Sequence, residues 1–445
     1  QHTKTCNDVL PPAPKVAFTS LQQRKGIPAL EGANFMLQLD FSGFYTQFSL
    51  ATEVRNFHSV RFPNPAGGKA LLCRLCVAPT GQSHMVFAAS TVTRALLSFA
   101  QQSVFQDDHI DNVLFVGATR EAVIADAAQL IARCKLAGVT INEDVSDLAA
   151  LVATSGDWCG IHLDLTNDTV ALTEKVVSKL RLSLSNATAW TWRGFAAHIG
   201  LLFYAMQILD IQVSTFFNLL RFHGRVSREM QAAADELWDE PAVIDPSAMR
   251  DIFAWSRIAL TNDPEPSKKK SSCNVLMMTD ASALGWGYVA FDEVSQRVFY
   301  GGGQWPAYFA QEHGQKLGSS VFTEPYAIFF AKQHLFAELP NTEIQRHLRI
   351  GTDSVTAASI LRKGFTGRSY DLNAIAAQDR KFFSGIVCDY IYVEGKNNFL
   401  ADRISRRHKI TSKEYGTIEA CLRRYLGESP ADLTPHSGGG NGNVV

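Results

Sequence analysis

Four acids in the second half of the 445-residue chain stand where elements of structure begin or end. Asp280 closes a strand pattern in VLMMTDAS (275–282), Glu324 begins a helix pattern over 323–336, and Asp353 closes the strand pattern LRIGTD (348–353). Asp402 lies in a last helix pattern through Asn398–Ser405. Carboxylates at strand ends and helix starts converge above a sheet. There they can hold two Mg²⁺ or Mn²⁺ ions about 4 Å apart, which activate water and stabilise the leaving oxygen of a phosphodiester. Each acid alone has an ordinary reading: helix cap, first-turn dipole partner, turn residue or solvated face. Together they point to hydrolysis of a nucleic-acid backbone. A second pair stands in the first half, where Asp40 ends the strand pattern FMLQLD (35–40) and Asp111 precedes the apolar run VLFVG. Two-metal phosphoryl transfer needs at least two such carboxylates.

The elements that must position these groups follow from periodicity. After Asp280, GWGYVAFD (285–292) and RVFYGGGQW (297–305) read as two more strands of an antiparallel meander. Helix 323–336, strand 348–353, helices within 354–363 and 370–383, strand 388–395 and the helix at 398–405 complete an order βββαβααβα. Upstream, the spacing of Val123, Ala127, Leu130 and Ile131 predicts a helix over 119–137, and 160–172 resembles a hairpin. From Thr173 to Met230 apolar residues recur at helical spacing. PEPSKKKSS (264–272) has the composition of an exposed linker, and the Gly-rich end beyond Tyr425 is expected to be flexible. The fold class expected is a mixture of α+β and α/β in several domains.

Composition sets limits on partners. Hydrophobic residues make up 46% and charged residues 19%, so the chain can build cores and is not a disordered polymer. No apolar run approaches the ~20 residues of a spanning helix, and no membrane partner is expected. Residue 1 is Gln and no secretory apolar segment follows, which suggests a fragment of a longer chain. The eight cysteines lack framework spacing, so free thiols and an intracellular setting are expected. Cys73 and Cys76 form a CxxC without a second ligand pair and are read as small buried hydrophobes. With a net charge of −1, a polyanion must be met by local basic patches. Arg403, Arg406, Arg407, Lys409, Lys413, Arg423 and Arg424, against Glu414 and Glu419, form one.

TDAS with GWG (279–287), Glu324, TDS (352–354) and NFLADRISR (398–406) resemble the ribonuclease H domain of retroelement polyproteins, especially the tyrosine-recombinase retrotransposons of the DIRS-like group. The resemblance implies cleavage of RNA in RNA/DNA hybrids. Tyr392 stands where members of that group often carry a histidine. In the first half, DFSGFYTQFSL (40–50), RLCVAPTGQS (74–83), HIDNVLFVG (109–117) and LAGVTINED (136–144) resemble the palm motifs of reverse transcriptases, over most of residues 15–230. On that likeness Tyr45 is the steric gate beneath the incoming sugar, Pro79 to Gln82, with Gly81, holds the template-nucleotide pair, and Gly160 lies in the primer grip region. Asn112 stands in place of a second Asp, Phe44 replaces a small residue, and the usual lysine after Gly138-Val-Thr-Ile-Asn is missing.

The resemblance implies reverse-transcriptase fingers and palm at 1–165, a helical thumb and connection at 166–263, the linker at 264–272, a ribonuclease H domain at 273–408, and a basic, then flexible, tail at 409–445. Such a chain copies RNA into DNA and cleaves the RNA of the hybrid. Its metals are Mg²⁺ or Mn²⁺, two per site, at Asp40 and Asp111 and at Asp280, Glu324, Asp353 and Asp402. Its partners are an RNA template, a DNA primer, the RNA/DNA hybrid and deoxynucleoside triphosphates, with Asn112, Arg406 and Arg407 among the substrate contacts. Two alternatives stay open: a non-catalytic nucleic-acid-binding scaffold, or a hybrid-specific nuclease without polymerase activity.

Overall fold

The structure, a computed structural model, describes residues 12–53, 55, 59–62, 64, 69–79, 83–98, 102–231, 235–267, 273–339, 347–384 and 386–427. Contacts divide the chain into two compact units. One comprises residues 1–177 with 207–209 and 262–269; the other comprises 178–206, 210–261 and 270–445. The expected flexible end beyond 427 lies outside the described residues.

In the first unit, β1 (Phe35–Asp40), a small hairpin of β2 (Ser59–Phe62) and β3 (Leu71–Arg74), and the hairpin of β4 (Phe105–His109) and β5 (Asn112–Gly117) carry the strand signal. β5 lies in the middle of an antiparallel sheet ordered β1-β5-β4. Period-two alternation turns Leu37, Leu39, Val113 and Phe115 to one face, where they pack on Ala89 and Leu96 of α1 (Ser83–Leu97) and Val123, Ala127 and Leu130 of α2 (Arg120–Ala137). The Thr119 side chain caps the start of α2, and Gly138 at φ 73° ends it in the left-handed conformation that costs glycine least. A second sheet joins β6 (Ser155–Trp158), β7 (Ile161–Asp164) and β8 (Thr169–Leu172), so the expected hairpin at 160–172 is present. Part of the expected linker is ordered. Glu265–Pro266 forms β9 and pairs with Thr169 and Val170, because the edge of β8 offers unpaired main-chain groups that an extended segment satisfies. Residues 268–272 lie outside the described residues.

The second unit takes most of the helical stretch: α3 (Glu174–Ser185), α4 (Trp192–Leu209), α5 (Phe217–Gln231) and α6 (Pro246–Thr261). Trp255 is fully buried on α6 and stacks on Phe216 at 5.4 Å and 5°. Beyond these helices a five-stranded sheet is ordered β12-β11-β10-β13-β14, from β10 (Val275–Ala281), β11 (Gly285–Asp292), β12 (Arg297–Gln304), β13 (His347–Thr352) and β14 (Val387–Tyr392). β10, β11 and β12 form the expected antiparallel meander, and β13 and β14 add in parallel. The helices of seven residues or more are α7 (Ala307–His313), α8 (Ser320–Glu338), α9 (Val355–Lys363), α10 (Tyr370–Phe382), α11 (Phe399–Ser405) and α12 (Ile418–Leu426).

Both faces of this sheet are covered, which is why β10 reads VLMM without a polar position. Val275 and Met277 join a core with α7 to α10, whereas Leu276 and Met278 join one with α11 and α12. Three details differ from expectation. The helix α7 intervenes between β12 and α8. Glu324 lies a full turn inside its helix, which starts at Ser320. Cys73 and Cys76 are exposed, Cys73 on β3, whose four residues are all exposed, and Cys76 just after it. All the described cysteines are free thiols.

Candidate active sites

Asp280, Glu324 and Asp353 each present a carboxylate oxygen, and these atoms all lie within 4.8 Å of one another; among the described residues no other such group of three occurs. Asp280 and Asp353 arrive from the ends of neighbouring parallel strands, and Glu324 from α8 on the face opposite α11. Glu324 is 1% exposed and held at both oxygens: the Ala281 N–H donates to Oε1 at 2.9 Å and the Thr352 hydroxyl to Oε2 at 3.0 Å. Asp280 accepts from the Ser405 hydroxyl at 2.7 Å. Asp353 is half-open, and Gly395 keeps its neighbourhood clear: a Cβ there would stand 3.3 Å from Asp353 Oδ2. Burial pushes the Asp280 carboxyl up to about 7, with the Ser405 bond opposing and Asp353 and Asp402 adding repulsion. Burial, then the charges of Asp280 and Asp353, raise Glu324 to about 8. Burial also raises Asp353, assisted by Asp402.

Asp402 is near enough to act on Asp280 and Asp353 through charge but stands outside the 4.8 Å group, and its Oδ1 accepts from Arg406 Nε at 2.7 Å. Its helix, α11, lies directly on bare backbone. Gly287 pairs with both Asp280 and Gly302 across the meander. A Cβ on Gly287 would meet Ser405 N at 2.5 Å and Ala401 O at 2.8 Å, and one on Gly302 would meet Ile404 Cγ2 at 2.6 Å. Gly287 of the GWG run and Gly302 of the GGG run thus leave room for the helix to sit against the strands. Arg406 is committed to Asp402, and Arg407, at φ 67°, is exposed beside it.

The first unit gathers a smaller set. The β4–β5 turn consists of Ile110 and Asp111, and Asp40 faces Asn112 across the β1–β5 register. Ile110 has φ 61°, a left-handed conformation that costs a β-branched side chain about 1–3 kcal/mol. The Thr93 hydroxyl donates to the Ile110 carbonyl and the Phe41 N–H donates to that of Asp111 at 3.0 Å, so both sides of the turn are pinned. Asn112 donates its amide to Asp111 Oδ1 at 3.0 Å. Burial raises the Asp40 carboxyl, a hydrogen bond from Asn142 opposes, and the charges of Asp111 and then Glu143 add to the rise. The Tyr45 phenol is raised by burial and then by the Asp111 charge, so the expected gate lies within electrostatic reach of the expected acid.

Phe44 fills the core, 2% exposed, with Phe41 and Phe48 rings each at 4.9 Å, which explains a large residue at that place. Pro79 is buried, while Gly81 and Gln82 lie outside the described residues. Four residues that bear on these sites had no assigned role in the sequence: Thr352, Ser405, Asn142 and Glu143. The first two sit inside motifs and are hydroxyls one or three positions from a site acid. The last two lie in LAGVTINED, which directed attention to a missing lysine instead.

The second-unit donor set suits a hard divalent cation. Three carboxylates that crowd and repel at this distance are oxygen ligands of the kind Mg²⁺ and Mn²⁺ take.

No protein-family model matches the chain, and no curated protein does. Solved structures similar to it are a foamy viral protease-reverse transcriptase in complex with double-stranded DNA, at TM-score 0.46 and 11% identity over 87% of this chain and 62% of that one. The same protein in complex with an RNA/DNA hybrid is similar at TM-score 0.45 and 11% identity, over 87% of this chain and 48% of that one. A further double-stranded DNA complex gives TM-score 0.43 and 11% identity, covering 88% and 73%. The chain thus spans about half to two thirds of the length of the first two structures.

Proposed function

We propose that the chain is the reverse transcriptase and ribonuclease H portion of a retroelement polyprotein of the DIRS-like, tyrosine-recombinase group. In this reading it extends a DNA primer on an RNA template with deoxynucleoside triphosphates, then cleaves the RNA strand of the hybrid. The observation that carries it is the meeting of Asp280, Glu324 and Asp353 within 4.8 Å at the end of a five-stranded sheet. Asp280, Glu324, Asp353 and Asp402 would hold divalent ions in the second unit, and Asp40 and Asp111 in the first. When bound, Mg²⁺ or Mn²⁺, two per site, supplies charge neutralisation at the phosphoryl oxygens and lowers the pKa of the attacking water or hydroxyl.

The chain's own groups do the rest. Ala281 N–H and the Thr352 hydroxyl fix Glu324, and the Ser405 hydroxyl fixes Asp280, so the acids cannot turn away from one another. Asp353, the least buried of the three, is the acid a nucleic-acid backbone would reach first. Arg406 offsets the charge of Asp402, and Arg407 offers a free-standing cation to a phosphate beside the site. In the first unit Tyr45 narrows the space beside Asp111 and so selects against a 2′-hydroxyl.

Two assays on the purified chain test the reading: cleavage of the RNA strand in an RNA/DNA hybrid, and primer extension on an RNA template. Both are expected with Mg²⁺ or Mn²⁺ and lost with a chelator. Absence of hybrid cleavage with either ion would sink the assignment. A second reading, a hybrid-specific nuclease without polymerase activity, is favoured by the Asn112 amide lying on Asp111 Oδ1, an oxygen the first unit needs. It wins if cleavage persists where extension is absent.

A further inference from the structure

The first unit carries the two expected carboxylates, Asp40 and Asp111, and what surrounds Asp40 shows how that acid is held. The segment 140–143 runs antiparallel beside residues 40–42: Asn142 N–H donates to the Asp40 carbonyl at 2.8 Å and Ser42 N–H to the Thr140 carbonyl at 2.9 Å. From this segment the Asn142 side-chain amide reaches the Asp40 carboxylate and donates to Oδ2. Glu143, next along, accepts the Asp40 N–H with Oε2 at 2.9 Å. Three bonds thus converge on one residue from a stretch more than a hundred positions away, one to its carbonyl, one to its N–H and one to its carboxylate.

We infer that Asn142 is a positioning residue of the first-unit site: its amide fixes the Asp40 carboxylate so that Oδ1 is presented for a divalent ion. This rests on the reading that Asp40 is a metal ligand. A neutral donor suits the place. A lysine there would add a cation against the incoming ion, whereas an amide orients the carboxylate and leaves its charge intact. Asn112 and Asn142 then act alike, each holding one acid through one oxygen, on the two sides of the β1–β5 pairing.

A second residue bridges the same two segments without touching the carboxylate, which separates orientation from simple docking. Gln47 donates from Nε2 to the Ser42 carbonyl and accepts the Thr140 N–H at 3.0 Å. The test measures Mn²⁺ binding by electron paramagnetic resonance in the full chain carrying Asp280→Asn, which weakens the second-unit site. Asp40→Asn, Asn142→Leu, Asn142→Ala and Gln47→Leu are each added to that background, with thermal unfolding of every variant recorded without metal. Asp40→Asn is expected to remove the Mn²⁺ bound in the first unit. Both Asn142 variants should weaken it by about 10–100-fold, the usual cost of losing a group that orients a metal ligand, with unfolding unchanged. Gln47→Leu should leave it in place. Equal weakening by Gln47→Leu and Asn142→Leu overturns the proposal in favour of segment docking. Parental affinity in both Asn142 variants, with binding lost in Asp40→Asn, overturns it while keeping Asp40 as a ligand. If Asp40→Asn itself binds Mn²⁺ like the parent, the metal reading of the first unit falls and the proposal with it.

Discussion

Both acid clusters stand at strand ends, but they concentrate charge to different degrees. In the second unit Asp280 and Glu324 are 4% and 1% exposed and meet Asp353 with no amide among them. In the first, Asp40 and Asp111 are more open, and each carboxylate takes one hydrogen bond from an asparagine, Asn142 and Asn112. Burial forces the second-unit acids upward, to about 7 for Asp280 and about 8 for Glu324. Backbone donors and hydroxyls hold them in spite of their repulsion. The first-unit pair is less buried, is held by side-chain amides, and lies beside a turn strained at Ile110. Fewer and less buried carboxylates cost a site less folding stability and give it less pull on a cation. On the proposed reading the second cluster is therefore expected to take a divalent ion more tightly than the first, and the first to be the more easily altered.

The contrast breaks most directly at its stronger end. Asp280→Asn and Asp353→Asn each remove one ligand charge at constant volume, and each should lower cleavage of the hybrid's RNA strand by ~10³-fold, as expected when several kcal/mol of charge stabilisation is lost. Undiminished cleavage in both variants removes the site from the chemistry. Asp111→Asn should abolish primer extension, while Asn112→Asp should change it by less than about 10-fold, because Asn112 supports Asp111 and brings no charge of its own. Equal extension by Asp111→Asn and the parent would place the activity elsewhere.

A sharper measure of the difference is stability against pH. Because the folded pKa values of Asp280 and Glu324 lie above those of free carboxyls, the folded second unit binds protons that the unfolded chain releases. Its stability is full below about pH 4 and falls as pH rises through 7 and 8. In chelator, Glu324→Gln should flatten this loss and raise stability at pH 8.5 by about 1–3 kcal/mol in urea unfolding. A parallel slope in parent and variant would mean that the crowding carries no cost. The smallest effect belongs to the first unit: Tyr45→Ala should admit ribonucleotides more readily by opening room for a 2′-hydroxyl. Unchanged sugar selection with normal folding would return Tyr45 to the core, where its ring already packs in part.

The sequence makes some of this architecture legible and leaves the rest to long-range approach. Strand, turn and helix periods located β10 to β14 and put Asp280 and Asp353 at strand ends, since alternation and turn residues are local signals. Two-sided burial explains why VLMM shows no alternation of its own. Asn142 was illegible as a partner of Asp40 because the pair is separated by 102 positions and joined by one amide bond that no period announces. Ser405 and Asp280, 125 positions apart, are the same case in the second unit. The strand at Glu265–Pro266 was hidden by composition: proline and serine describe a linker, while the open edge of β8 decides that two of those residues pair. The helix α7 was missed since its seven residues are too few for a period to register.

The contact between α11 and the glycines of the meander also governs how the second unit can drift. Where side chains separate two elements, their spacing follows whichever side chains happen to fill the gap, and repacking moves it. Here the main chain of Ser405 and Ala401 rests at Gly287 of β11, the residue paired with Asp280, so the gauge between Asp402's helix and the strand beside Asp280 is set largely by atoms that substitution cannot resize. The cores on both faces are free to exchange one apolar residue for another. The span between those two acids stays fixed as long as two positions carry nothing at all.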